Sequence, residues 1–205
     1  MKILNLYAGI GGNRKLWDNA KIIAIEINPK IAAIYKDIFP SDEVIVTDAH
    51  QFLLENFKEF DFIWSSPPCP SHSIIRKNSK FVPHQSKPLY PDMKLYEEIL
   101  FLLHYFDKNW VIENVISYYE PLIKPQRIQR HFFWSNFYIS PIKLDADNIV
   151  TNTVQEFEKR FGFDLSKYKN IDKSTLLSNC VHPRLAKHIL DLVRKNTQST
   201  IGLWF

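Results

Sequence analysis

Lys2-Ile3-Leu4-Asn5-Leu6-Tyr7-Ala8-Gly9-Ile10-Gly11-Gly12 is an apolar run of strand length that breaks into glycines. A glycine-rich turn straight after a strand lets the backbone approach a ligand, because a Cβ would block such contacts. The motif implies a nucleotide-like ligand, or at minimum a tight strand-to-helix turn. Outward from it, Lys21 to Ile27 reads as a second strand that stops at Asn28-Pro29. Asn28 can cap a helix with Pro29 at its first position, and Ile31, Ile34, Tyr35 and Ile38 then share one face. Val44–Val46, Phe62–Trp64 and Trp110–Ile112 are further strands, with helices expected between and after them. Strands alternating with helices predict an α/β fold, a doubly wound Rossmann-like sheet.

Such a sheet binds ligands where the loops after its parallel strands converge. Glu26, Asp48, Ser65 to Cys69, and Glu113-Asn114 each follow an apolar run, so four strand ends carry polar or reactive groups. Glu26 is placed to accept hydrogen bonds from ribose hydroxyls, or to serve as a carboxylate where the next helix begins. Asp48 can accept from an adenine amino group, or cap the helix that follows. In Ser66-Pro67-Pro68-Cys69-Pro70 the prolines stiffen the chain on both sides of one thiol. A cysteine in a rigid, polar strand-end loop fits a nucleophile better than a packing residue. Glu113 adds a carboxyl group at the next strand end, either kept protonated by an apolar setting or serving as a helix-capping or solvated glutamate.

The 205 residues are 45% hydrophobic and 23% charged, an ordinary globular composition with one sizeable core. No apolar stretch approaches the roughly 18 to 20 residues of a membrane span, so we expect a cytoplasmic protein of a bacterial cell or of a phage infecting one. The two cysteines are far apart and show no metal-ligand spacing, so neither a disulfide framework nor a metal site is expected. The net charge of +4 suits a polyanion partner without requiring one. Arg76, Lys77, Lys80 and Lys87 crowd one loop, and Lys124, Arg127, Arg130 and His131 another.

Three parts are expected: a catalytic and cofactor-binding α/β domain over 1–136, a small target-recognition segment over 137–177, and a return to the catalytic domain over 178–205. In the middle part, Lys143, Lys159, Arg160, Lys167, Lys169 and Lys173 offer phosphate contacts. Asn148, Asn152, Gln155 and Asn170 offer side chains that can read base edges. The last helix, around Arg184 to Lys195, should pack Leu185, Ile189, Leu192 and Val193 back onto the sheet.

These residues resemble the DNA cytosine-5 methyltransferases along nearly the whole chain. Tyr7 to Gly12 is similar to the family's Phe-x-Gly-x-Gly-Gly cofactor loop. Pro67-Pro68-Cys69 with Ser73 matches its Pro-Cys-x-x-x-Ser motif, and Glu113-Asn114-Val115 its Glu-Asn-Val motif. Leu95 and Tyr96 lie in a stretch similar to the cofactor-side helix. Asn179-Cys180-Val181-His182-Pro183 resembles the late Gly-Asn-x-Val-x-Pro segment, with Ser178 in place of the glycine. Gln126-Arg127-Ile128-Gln129-Arg130 resembles Gln-x-Arg-x-Arg, with Ile128 at the first arginine's position and Arg127 beside it.

The resemblance implies S-adenosylmethionine as cofactor, with S-adenosylhomocysteine as product. It assigns cofactor contacts to Tyr7, Gly9, Gly11, Gly12, Glu26, Ile27, Asp48, Ala49, Pro68, Leu95, Asn179 and Val181. Catalysis falls to Cys69, Glu113 and Arg130, and contacts to double-stranded DNA to Ser73, Arg76, Lys77, Asn114 and Arg127. A monomer acting on a flipped cytosine is expected, with the basic loop from Arg76 to Lys87 as lid. The rival readings are a tRNA cytosine-5 methyltransferase, a catalytically silent nucleic-acid-binding relative and a small-molecule methyltransferase. The tRNA branch carries a Cys-Phe-Thr signature absent here. The silent relative is disfavoured by intact Cys69, Glu113 and Arg130. The small-molecule reading leaves the Pro-Pro-Cys and Glu-Asn-Val motifs unexplained.

Overall fold

A computed structural model describes residues 1–77, 88–144 and 153–201, apart from the side chains of Lys77 and of residues 197–201. Lys80, Lys87, Asn148 and Asn152 lie outside the described residues. Seven strands form one sheet: β1 (Lys2–Leu6), β2 (Lys21–Ile25), β3 (Glu43–Ile45), β4 (Phe62–Ser65), β5 (Asn109–Val115), β6 (Gln126–Ile128) and β7 (His131–Ser135). Their order is β3-β2-β1-β4-β5-β7-β6. The first five run parallel, and β7 pairs antiparallel with both β5 and β6. The helices are α1 (Pro29–Ile38), α2 (Ala49–Asn56), α3 (Lys94–Tyr105), α4 (Val154–Phe161), α5 (Lys173–Ser178) and α6 (Pro183–Ile201). This is the doubly wound α/β arrangement expected from the alternating strands.

The apolar strand runs exist because both faces of the sheet are covered. Neighbouring strand residues point to opposite faces. Leu4, Ile23, Ile63 and Ile112 meet Leu53 of α2 and Leu95, Ile99 and Leu102 of α3. Ile3, Ile22, Phe62 and Val111 meet Leu185, Ala186, Ile189 and Val193 of α6. The C-terminal helix therefore packs on the sheet as expected. Asn28 caps α1 through Lys30 N at 3.0 Å and Ile31 N at 3.4 Å, with Pro29 first in the helix.

One expectation needs correction. No α-helix connects β1 to β2; the described chain makes only a 3-10 turn, Arg14–Leu16. Helix α6 covers that part of the sheet instead, and Trp17 Nε1 donates to the Ala186 carbonyl at 3.2 Å. The described part of the segment after residue 136 packs against the rest of the chain. Phe137, Ile139, Ile142 and Leu144 pack with the α6 side of the sheet. Phe157, Phe161, Phe163, Leu165 and Leu177 bury themselves against Ala8, Ile10, Tyr35 and Phe39. Helix α4 starts in a Thr153–Glu156 capping box and ends at Gly162, whose φ of 73° suits the left-handed C-cap. Its Phe157 and Phe161, four residues apart on one face, are the sequence signal that this segment belongs to the core.

Candidate active site

The loop after β4 holds the thiol. Asn114 Nδ2 on β5 donates to the Pro67 carbonyl at 3.0 Å, tying the two strand ends together. The Cys69 carbonyl accepts from His72 N at 2.9 Å and Ser73 N at 3.1 Å. Beyond it, Ile74 N donates to the Ile116 carbonyl at 2.9 Å and Tyr118 N to the His72 carbonyl at 3.0 Å. The chain on both sides of the cysteine is thus fastened to β5 and its extension. Burial pushes the half-buried Cys69 thiol up to about 11, the negative charge of Glu113 adds to this, and Arg130 opposes it. At neutral pH the ligand-free site therefore holds a thiol, not a thiolate.

Glu113 is 6% exposed, and its Oε1 lies 2.5 Å from Nδ1 of buried His131. Arg130 occupies the two-residue turn between β6 and β7, where Nη2 donates to the carbonyls of Ser178 at 3.3 Å and Cys180 at 3.1 Å. The turn joins the sheet to the returning C-terminal segment. Cys69, Glu113, Arg130 and His131 all line one cavity of about 430 Å³, a volume within the range of small-molecule sites.

The far side of that cavity is formed by the loop after β1. Gly9 has φ +54° and nothing within 4 Å of where its Cβ would stand, so the chain leaves open space there. A Cβ on Gly12 would come within 2.5 Å of the Cys180 Cβ. Glu26 accepts from Gly9 N at 3.0 Å through Oε2 and from Asn28 N at 2.9 Å through Oε1. Each carboxylate oxygen keeps a second acceptor direction, which suits ribose hydroxyls. Ile27 and Ile31 supply apolar wall nearby, and Tyr7, Pro68, Asn179 and Val181 complete the enclosure. A cavity with an acidic strand end, a bare glycine face and a thiol opposite fits S-adenosylmethionine.

Other expected site residues have different placements. Asp48 caps α2 by accepting from Gln51 N at 3.0 Å and lies 3.8 Å from Lys94 Nζ; Ala49 and Leu95 are buried in the core. None of these three lines the cavity wall. Gly11 is absent from the wall too; its φ of +83° and the rings of Tyr35 and Phe39 behind it make it a turn residue. Asn114 borders the cavity, but its amide is engaged with Pro67 and with Val115 N. Ser73 Oγ accepts from Ile75 N at 3.3 Å, and Arg76 Nη1 donates to the Pro70 carbonyl at 3.1 Å. Arg127 is exposed on β6 beside a separate groove with Gln129 and Tyr138, because its neighbour Ile128 turns into the core. It does not take up the position of the missing arginine in the cavity wall.

Sequence reasoning missed His131 as a partner of Glu113, and Asn13, Thr175, Leu176 and Cys180 as wall residues. It also missed Glu98 of α3, which is 1% exposed and accepts from Tyr7 Oη and Ser65 Oγ, both at 2.6 Å. That carboxylate fastens α3 to the ends of β1 and β4. Among the described residues, no group of three or more His, Cys, Asp or Glu could hold a metal ion. No helix there is long and apolar enough to cross a membrane.

Residues 1–117 match the family described as C-5 cytosine-specific DNA methylase, and this stretch includes Cys69 and Glu113. The chain belongs to that family. A tRNA (cytosine(38)-C(5))-methyltransferase of Spodoptera frugiperda is 25% identical over 160 residues, 72% of this chain and 46% of the relative. The Homo sapiens enzyme of the same name is 26% identical over 159 residues, 72% of this chain and 40% of its own length. The chain thus spans less than half the length of these curated relatives. Among solved structures, the Entamoeba histolytica methyltransferase EhMeth aligns with a TM-score of 0.61 at 13% identity, covering 96% of this chain and 98% of that one. At that identity the likeness speaks for the fold. Membership makes this a cytosine-5 methyltransferase-family fold whose methyl donor is S-adenosylmethionine.

Proposed function

We propose that the protein methylates carbon 5 of cytosine in double-stranded DNA through a covalent adduct on Cys69. The observation that carries this reading is the convergence of Cys69, Glu113 and Arg130 on the same cavity as the glycine loop and Glu26. Carbon 5 of cytosine is a poor nucleophile until something adds at carbon 6. The Cys69 thiol gives its proton to water, its sulfur forms the Sγ–C6 bond, the C5=C6 pair moves to C4=C5, and the C4=N3 pair moves onto N3. Glu113 donates its proton to N3, and Arg130 holds O2 against the developing charge. S-adenosylmethionine, when bound, supplies the electrophilic methyl group that carbon 5 takes. Loss of the C5 proton to water or a small polar group re-forms C5=C6 and expels the Cys69 thiolate. The N3 proton then returns to Glu113. A stacked base offers no access to these atoms, so the cytosine is flipped out of the helix at a cost of about a few kcal/mol.

A second reading, methylation of tRNA, is favoured by the names of the two curated relatives. The family description favours DNA. Incubation with plasmid DNA and, separately, with total tRNA in the presence of labelled S-adenosylmethionine tests both. Label in DNA, mapped to 5-methylcytosine, is the expected outcome; label in tRNA alone would replace the DNA reading with the second.

A further inference from the structure

We propose that His131 is the positioning residue that holds Glu113 as proton donor to the cytosine ring, an inference that rests on the cytosine reading above. The pairing register explains why the two side chains meet. Glu113 on β5 lies opposite Phe133 on β7, and His131 lies opposite Val115. His131 is therefore two residues along from the partner of Glu113 and projects from the same face, in the diagonal relation that brings long side chains together. Nδ1 and Oε1 are 2.5 Å apart, with His131 3% and Glu113 6% exposed. The same hydrogen bond leaves only Oε2 of Glu113 to reach a base in the cavity that both residues line.

The other ring nitrogen shows which protons are present. Nε2 of His131 is buried and, among the described residues, has no hydrogen-bond partner. A doubly protonated ring would place a charged N–H there without an acceptor, which is far costlier than a bare lone pair. The neutral tautomer with its proton on Nδ1 is the form that fits. It donates to Glu113 Oε1 and leaves Oε2 as the carboxyl oxygen that His131 does not engage. His131 thus fixes the orientation of the Glu113 carboxyl group at the cavity wall.

The test compares single-turnover methylation by the wild type, His131→Asn, His131→Leu, Glu113→Gln and the double variant Glu113→Gln with His131→Leu. Asparagine keeps an N–H near the place of Nδ1 and should retain most of the rate. Leucine removes the donor and should lower the single-turnover rate constant about ten- to a hundredfold, the range for one hydrogen bond to a reacting group, with the half-saturating nucleic-acid concentration nearly unchanged. In the Glu113→Gln background the leucine should cost little more, because His131 acts through Glu113. S-adenosylhomocysteine binding by calorimetry verifies that each variant keeps its cavity. If His131→Leu turns over like the wild type, or lowers the rate equally in both backgrounds, the assignment is overturned. Asparagine and leucine variants equally slow would also overturn it. A wild type that methylates no nucleic acid would instead sink the underlying reading, so the two failures are distinct.

Discussion

Gly12→Ala probes the joint between the loop after β1 and the returning C-terminal segment. The added Cβ would stand 2.5 Å from the Cys180 Cβ, 2.8 Å from its Sγ and 3.0 Å from its Cα. Carbon atoms in contact rest about 3.5–4.0 Å apart, so the backbone must move by roughly 1 Å, and a rotamer change cannot relieve it. Overpacking of this kind costs about 1–3 kcal/mol. The upper part of that range applies, because the Arg130 guanidinium also fixes the Ser178 and Cys180 carbonyls and resists the shift. For a chain of 205 residues, at about 2–4 °C per kcal/mol, a loss of about 2–3 kcal/mol lowers Tm by about 4–12 °C. Calorimetric titration with S-adenosylhomocysteine should show affinity down by about tenfold or more, because Asn179, Cys180 and Val181 line the same cavity. Adding Cys180→Gly removes the Cβ and Sγ that clash and should restore part of the affinity. A Gly12→Ala protein with unchanged Tm and unchanged affinity would refute the close approach and the cofactor side built on it.

Iodoacetamide should label Cys69 slowly at pH 7 and about tenfold faster per pH unit until about pH 11, with Cys180 lagging because burial holds its thiol at about 12; rapid labelling of Cys69 at pH 7 in the ligand-free protein would contradict the buried thiol. Both folded-state values lie above the ordinary thiol value, so the stability they contribute is full below about pH 9 and is lost as pH rises through about 11 to 12. Denaturant midpoints measured from pH 8 to 12 should fall across that window, and a flat profile would count against it. Glu26→Ala removes the acceptor for Gly9 N and Asn28 N and should weaken S-adenosylhomocysteine binding at least tenfold; unchanged affinity would remove Glu26 from the cofactor site. Phe161→Ala should destabilise by about 3–5 kcal/mol in urea unfolding, because Phe161 is 2% exposed in the core; a cost under about 1 kcal/mol would show that this helix is a detachable appendage.

The fold was legible because both faces of the sheet are buried, which writes each central strand as an apolar run ending in a polar group. Cys69 and Glu113 stood out for the same reason: each sits at the end of such a run. Two kinds of feature were hidden. Helix α6 replaces a crossover helix from the far end of the sequence, and no local pattern says where a distant helix will dock. The His131–Glu113 pair depends on antiparallel register between β5 and β7, which the spacing of residues 113 and 131 does not reveal. Asp48 shows the opposite limit, since a cap and a ligand contact use the same carboxylate at a helix start, and the capping role is the one the geometry displays. In the segment after 137 the polar residues outnumber the aromatics, yet the described aromatics set its position.

The central claim is that Cys69 bonds to cytosine carbon 6. Its most direct test is incubation of the protein with S-adenosylmethionine and a duplex carrying 5-fluorocytosine in place of cytosine, followed by denaturing electrophoresis and peptide mass mapping. Fluorine cannot leave carbon 5 as a proton does, so the adduct persists after methyl transfer. The account predicts a protein–DNA species that survives denaturation, depends on the cofactor, maps to the peptide containing Cys69 and disappears in Cys69→Ser. Duplexes that the protein methylates as ordinary cytosine, yet whose fluorinated forms leave no adduct on Cys69, would contradict it.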